Sequence, residues 1–548
     1  MKKDNRNRKT AAVLAAVIMA VCIFGCGSQE PSGQNGGQGS TQESPGHTEE
    51  SHAERYRYDL QVDVHAITPE EAEQEYLKLS LHEEATFFNP EDTEWDRICL
   101  RDYAQMHLEE CRQMEPDIST DADTVYSNIT DSRDGSSPAL TRDEDSSVIW
   151  LDLETPLQPG EQMTLSLDYS FPVTDMSFGT RINYSFSDSF NKNPVYGLGN
   201  FYPILAGRID GEWDTSPDIP SGECFYSPCS DYHAAVKVPH GWQVIGSGEE
   251  KQTGTEGDQD IWEVDAENVR DMALAAAAEL QMSEKEAAGV TVRSWYYANH
   301  ETEGQVMQEA AANAVEAYSA YYGDFPYASL DCVETGLFPG GMEYPQLVFI
   351  GEDLLQYYSM EEQLMEKEPT SLEVCTAHEV GHNWFYGVVG NDEYNDAWID
   401  EGFASFSEQI YLKYICENGF VNYDFSWEEQ KQRLKQSLDF MGWDGQIDLP
   451  AREFQDYVSS VYTGANYYLI SLQEAIGEEA FHEMVRKFYS EFRFREASTE
   501  DFIEIARPYV EGNQQAVDLC AKYLSRWTEY TENHKISGRG LTGLFLFG

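Results

Sequence analysis

The chain has 548 residues, with 98 Asp and Glu against 36 Lys and Arg, a formal net charge of −62. Such a field opposes binding to a nucleic-acid backbone or to an anionic lipid leaflet. Hydrophobic residues at 41% and aromatics at 13% exclude a chain that is disordered throughout. The length accommodates two to four domains at ~100–200 residues each.

The first nine residues carry Lys2, Lys3, Arg6, Arg8 and Lys9, and residues 11–26 then run without a charge. A basic start followed by a short apolar run is the pattern of a secretory signal. The run falls short of the ~20 apolar residues of a secure membrane span. It is also the one run apolar enough to suggest a membrane segment, so a multi-pass membrane protein is not expected. Its end, Ile23-Phe24-Gly25-Cys26-Gly27-Ser28, resembles a bacterial lipoprotein cleavage box. That resemblance implies that Cys26 becomes the lipidated first residue of a protein held at the bacterial cell surface by a lipid anchor alone. Ordinary cleavage and a retained signal anchor are the alternatives. Residues 26–54 are Gly, Ser, Gln, Pro and Glu with almost nothing apolar, the composition of a flexible tether.

From residue 55 the pattern is mostly that of strands. Tyr56, Tyr58, Leu60, Val62 and Val64 alternate with polar residues, the period of a half-buried strand. Similar stretches recur at 147–153, 163–169, 180–186, 234–238 and 242–246, with turn-rich chain between them, notably at 117–137. This texture predicts an antiparallel β saddle or sandwich over residues 55–287. From residue 288 it changes. A strand at 290–297 precedes a helix at 301–322 that Gly323 stops, and helical patterns dominate from 370 to about 530. The expected organisation is α+β: signal 1–25, tether 26–54, β domain 55–287, catalytic domain 288–533, and a tail at 534–548. Among the cysteines, Cys224 and Cys229 are close enough for a local disulfide, and no pair has zinc-finger spacing. Buried thiols with up to one disulfide are the favoured state.

The most informative run is His378-Glu379-Val380-Gly381-His382. Residues four apart share a helix face, so both imidazoles can meet one ion, with Glu379 placed to take a proton from water. Eighteen residues separate His382 from Glu401. A carboxylate on a second helix completes a two-His, one-Glu set for one zinc ion with a position left for water. Zinc lowers the pKa of such a water toward ~7 and polarises a substrate carbonyl.

This spacing, the segment Trp398-Ile399-Asp400-Glu401-Gly402-Phe403-Ala404 and the loop Gly340-Gly341-Met342-Glu343-Tyr344-Pro345 resemble the gluzincin aminopeptidases of the aminopeptidase N family. The resemblance spans roughly residues 195–510. It implies a thermolysin-like catalytic domain with a helical C-terminal lobe, metal ligands His378, His382 and Glu401, and Glu379 as general base. It further implies that Gly340, Gly341 and Met342 align the peptide and that Glu343 holds a free N-terminal ammonium. Tyr344 stands where the family usually has Asn, and Asn383 where it has Gln. The family's oxyanion-binding Tyr matches Tyr462, but one residue is missing between it and Gly464, so the helix there must start or bend differently. Tyr457 and Tyr467 are the other candidates. Glu408, two turns past Glu401, is either a support behind the metal ligands or a solvated helix residue, with the solvated reading slightly favoured. Only 147 residues follow Glu401, which suggests an open cleft.

The expected activity is zinc-dependent release of N-terminal residues from extracellular peptides. A zinc endopeptidase with the same metal site is the first alternative. A catalytically silent surface binding lipoprotein is the second.

Overall fold

The structure, a computed structural model, describes residues 55–531 apart from 69–70, 72–73, 75, 187–193, 210, 220–221, 366–367 and 422–423. The basic and apolar N-terminal run, Cys26, the whole expected tether at 26–54 and the tail at 534–548 lie outside the described residues. No helix among the described residues is long and apolar enough to cross a membrane.

The alternation at 56–64 forms the strand Arg57–Asp63, whose Tyr58, Leu60 and Val62 point into the core. It lies inside an eleven-stranded sheet, antiparallel to Tyr76–Phe88 and parallel to Ser230–Pro239. Tyr76–Phe88 in turn pairs along its whole length with Gln162–Asp175. Two pairings in this sheet are parallel, the second being Gln162–Asp175 with Ile182–Phe186. The expected antiparallel layer is therefore mixed. A parallel neighbour needs a long crossover, and the chain between residues 63 and 230 supplies it. That crossover also builds a four-stranded sheet from Trp95–Arg101, Ala139–Arg142, Val148–Leu157 and Ile204–Leu205.

Two elements depart from the strand-and-turn expectation. Helix α1, Tyr103–Met114, buries Met106, Leu108 and Cys111, and the Asp102 carboxylate caps it by accepting from the Gln105 amide. The turn-rich stretch contains the strand Val125–Asp131, paired with Gln162–Asp175. Its residues are mostly polar and solvent-facing, so no apolar period marks it. The eight described cysteines are free thiols, and Cys224 and Cys229 form no disulfide.

The second sheet has five strands in the order Leu280–Ala287, Val290–Tyr297, Ser329–Thr335, Leu347–Gly351 and Gly341–Met342. The last is a two-residue edge strand. Helix α2, Glu301–Tyr321, covers this sheet with a run of alanines, and the Tyr318 hydroxyl donates to the Ala377 carbonyl at 2.9 Å. That bond fixes α3, Ser371–Gly381, which begins with a capping box between Thr370 and Glu373. Helix α4, Ala397–Glu417, crosses α3 closely enough that a Cβ on Gly381 would lie 3.0 Å from the Ser407 Cβ. It also crosses α5, Ala465–Ile476, where a Cβ on Gly402 would lie 2.6 Å from the Ala465 Cβ.

The large sheet and the helical part are bound together by Arg270. Its guanidinium is fully buried and donates to the carbonyls of Tyr386 (2.8 Å) and Ser227 (2.5 Å) and to Glu496 (2.8 Å). Removing it strands two buried carbonyls at ~1–3 kcal/mol each. Arg270→Ala is expected to lower the melting temperature by several degrees, read by calorimetry, and an unchanged transition would contradict this role.

Candidate active site

The crossing of α3 and α4 brings three ligand atoms together. His378 Nε2 lies 3.1 Å from His382 Nε2, and Glu401 Oε2 lies 3.2 Å from the first and 3.4 Å from the second. Four ligands around zinc at ~2.0–2.1 Å would be separated by about 3.3–3.4 Å. Two ring nitrogens aimed at each other and at one carboxylate oxygen therefore fit one zinc ion. The outer ring atoms are held as well. His382 Nδ1 lies 2.5 Å from Asp400 Oδ1, and His378 Nδ1 lies 2.8 Å from Glu408 Oε1. A carboxylate on the far nitrogen fixes the tautomer and makes the ligating nitrogen more basic. Glu408 is thus no solvated residue, contrary to expectation. Two helical turns carry it from Glu401 back over His378.

Glu379 sits beside the triangle, 6% exposed. A Cβ on Gly341 would lie 2.4 Å from Glu379 Cγ, so only glycine lets the edge strand pass so close to this carboxylate. Burial pushes the Glu379 carboxyl up to about 7, with His378 and His382 opposing and the charge of Glu401 adding. A bound dication draws it down again.

Tyr462 lies in a π-helical turn, Ser459–Gly464, that leads into α5. The i→i+5 bonding of such a turn resets the angular phase of the helix, which is the departure the missing residue demands. The Tyr462 hydroxyl donates to Glu401 Oε1, and its ring stacks on His378 with centroids 6.1 Å apart. Tyr457 packs edge-on to Tyr462, whereas Tyr467 packs on Tyr523 beneath Lys431 and is not part of the site.

Glu343 follows the edge strand and is 4% exposed. Burial pushes it up to about 7. Its carboxylate lies within 4.8 Å of those of Glu223 and Glu393, and also of Glu379 and the His382 ring. Arg181 pairs with Glu223, and Glu393 accepts from the Phe225 amide at 2.9 Å. The result is an acidic recess beside the metal seat, short of positive charge. Tyr344 is sunk beneath it, its hydroxyl donating to Asn200 Oδ1 at 3.0 Å through a gap left by Gly199. Asn383 Oδ1 accepts from the Gln346 amide and fastens the same turn to α3.

Sequence reasoning missed Asp400, Glu223, Glu393 and Arg181. Asp400 had a signal, since it adjoins Glu401 on the ligand-bearing helix. Glu223 and Arg181 come from irregular chain far from the motifs and carry no local signature.

Comparison with known proteins agrees with this geometry. Residues 307–523 match the peptidase family M1 domain. The resemblance to the aminopeptidase N family of gluzincins stands, carried by that match over residues 307–523. Aminopeptidase 2, mitochondrial, of Saccharomyces cerevisiae is 25% identical over 240 residues, 41% of this chain and 24% of the yeast protein. Endoplasmic reticulum aminopeptidase 2 of Bos taurus is 23% identical over 392 residues, 66% and 40% of the two chains. Across such curated relatives the match spans well under half of their length. The M1 zinc metallopeptidase of Deinococcus radiodurans shares the fold with a TM-score of 0.58 at 16% identity, covering 85% of this chain and 93% of the other. A mutant of that protein bound to a Tyr-Ser-Ala substrate gives a TM-score of 0.57 at 16% identity, with the same coverage.

The outer carboxylates give a direct test. Asp400→Asn and Glu408→Gln should each weaken zinc affinity by ~10–100-fold in competition with a chromophoric chelator. Affinity equal to the parent would contradict their orienting role.

Proposed function

We propose that the protein is a zinc aminopeptidase that removes N-terminal residues from peptides outside the cell. The observation that carries this is the buried Glu343, set between the glycine edge strand and the metal seat in a recess short of positive charge. A peptide's α-ammonium supplies that charge, and an acetylated N-terminus does not. The relatives named above as aminopeptidases, and the tripeptide bound to the D. radiodurans mutant, support the same reading.

Zinc on His378, His382 and Glu401 supplies a Lewis acid for the scissile carbonyl and acidifies water. The remaining work falls to the chain. The exposed edge of Gly341–Met342 offers backbone groups to an extended peptide as an added strand. Glu343 and Glu223 hold the ammonium and so set the distance from the N-terminus to the bond that is cut. Glu379 takes a proton from the attacking water and delivers it to the leaving amine. The Tyr462 phenol, raised well above its usual pKa by burial and by Glu401, stays protonated and donates to the developing oxyanion.

The position outside the cell rests on the sequence alone, on the basic start, the apolar run and Cys26. In this proposal the lipid on Cys26 anchors the enzyme at the bacterial surface and residues 27–54 lift it clear.

Glu379→Gln should lower kcat by ~10²–10⁴ with zinc content unchanged, and the parent should cleave free peptides but not their N-acetylated forms. Loss of zinc along with activity would sink the role of Glu379. Equal cleavage of free and acetylated peptides would make the protein an endopeptidase.

A further inference from the structure

Next to the ammonium recess lies a cavity of about 200 Å³ between α1 and the edge strand. Drug-sized ligands occupy ~300–1,000 Å³, so this space suits one amino-acid side chain. Gly341, Met342 and Glu223 form its near wall, and these are groups that align the peptide and hold its N-terminus.

The walls are apolar along the way, with Met106, Phe225, Leu337 and Phe338, and ionisable elsewhere, with His107, Glu110 and Asp218. Arg181 also lines the cavity, but it is paired with Glu223 and stacked over the Phe225 ring at 4.5 Å. His107 is 5% exposed; its Nδ1 meets Glu110 Oε2 at 2.9 Å, and its Nε2 has no partner among the described residues. Glu110 accepts from Nδ1, and Nε2 is left buried and unpartnered against the cavity. Asp218 is half-buried and held above the usual carboxylate range by burial and then by the charge of Glu110. A cation at this end would relieve Asp218 and pair with Glu110, which is already ionised beside it. The apolar walls would sheathe a methylene stem.

We propose that this cavity receives the side chain of the substrate's first residue and selects a basic one, arginine or lysine. The proposal rests on the aminopeptidase reading and names the substrate class for it. It also gives the charge of −62 a use, since an acidic surface concentrates basic peptides.

The test uses the zinc-loaded Glu379→Gln protein, which binds without turnover, and calorimetry. The ligands are arginyl-alanine, citrullinyl-alanine of nearly the same shape without the charge, and N-acetyl-arginyl-alanine. Arginyl-alanine should bind at least ~10-fold tighter than citrullinyl-alanine, and Glu110→Gln and Asp218→Asn should each shrink that ratio. Equal affinities, or a ratio that survives both substitutions, would overturn the proposal. The acetylated ligand separates the two ideas. If acetylation costs no affinity, the ammonium reading fails, while the arginine-to-citrulline ratio still decides what the cavity selects.

Discussion

Two imidazole nitrogens 3.1 Å apart and a carboxylate oxygen 3.2–3.4 Å from each meet in the interior of this protein. Polar groups so placed are costly without a cation between them. Much of the helical half can be understood as holding that triangle. Gly381 and Gly402 let the helices cross at the required distance. Asp400 and Glu408 hold the rings from behind. The bond from Tyr318 to the Ala377 carbonyl ties the ligand-bearing helix to α2. The metal seat is therefore a property of the packing of three helices as well as of three residues.

The second organising feature is buried negative charge. Glu223, Glu343, Glu379, Glu393 and Asp400 surround the seat, and burial pushes each of them up. Arg181 compensates only in part. Such a cluster is tolerated where a function needs it. Zinc supplies one part of the missing positive charge, and in the proposed function the substrate's ammonium supplies another. One electrostatic arrangement would then serve both metal binding and the choice of a free N-terminus.

The metal ligands were legible because one helical period and one spacing specify them, and the half-buried strands because their alternation is strict. Other parts were hidden for physical reasons. The parallel pairing of Arg57–Asp63 with Ser230–Pro239 is a contact between strands far apart in sequence, and each strand has the same alternation whichever way its neighbour runs. Helix α1 sits among strands and is marked mainly by its cap at Asp102. The displaced Tyr462 showed as a missing residue, yet only the π-helical turn shows how its hydroxyl reaches Glu401. Glu223 and Glu393 join the site from loops brought together by the amide of Phe225, a contact without a sequence period.

X-ray absorption at the zinc edge of the purified protein reads the ligand set of this seat. One zinc per chain is expected, with two imidazole nitrogens and oxygen ligands at ~2.0–2.2 Å and no sulfur. A sulfur ligand at ~2.3 Å, which would point to Cys375 beside Glu379, or a protein that does not take up zinc, would contradict it.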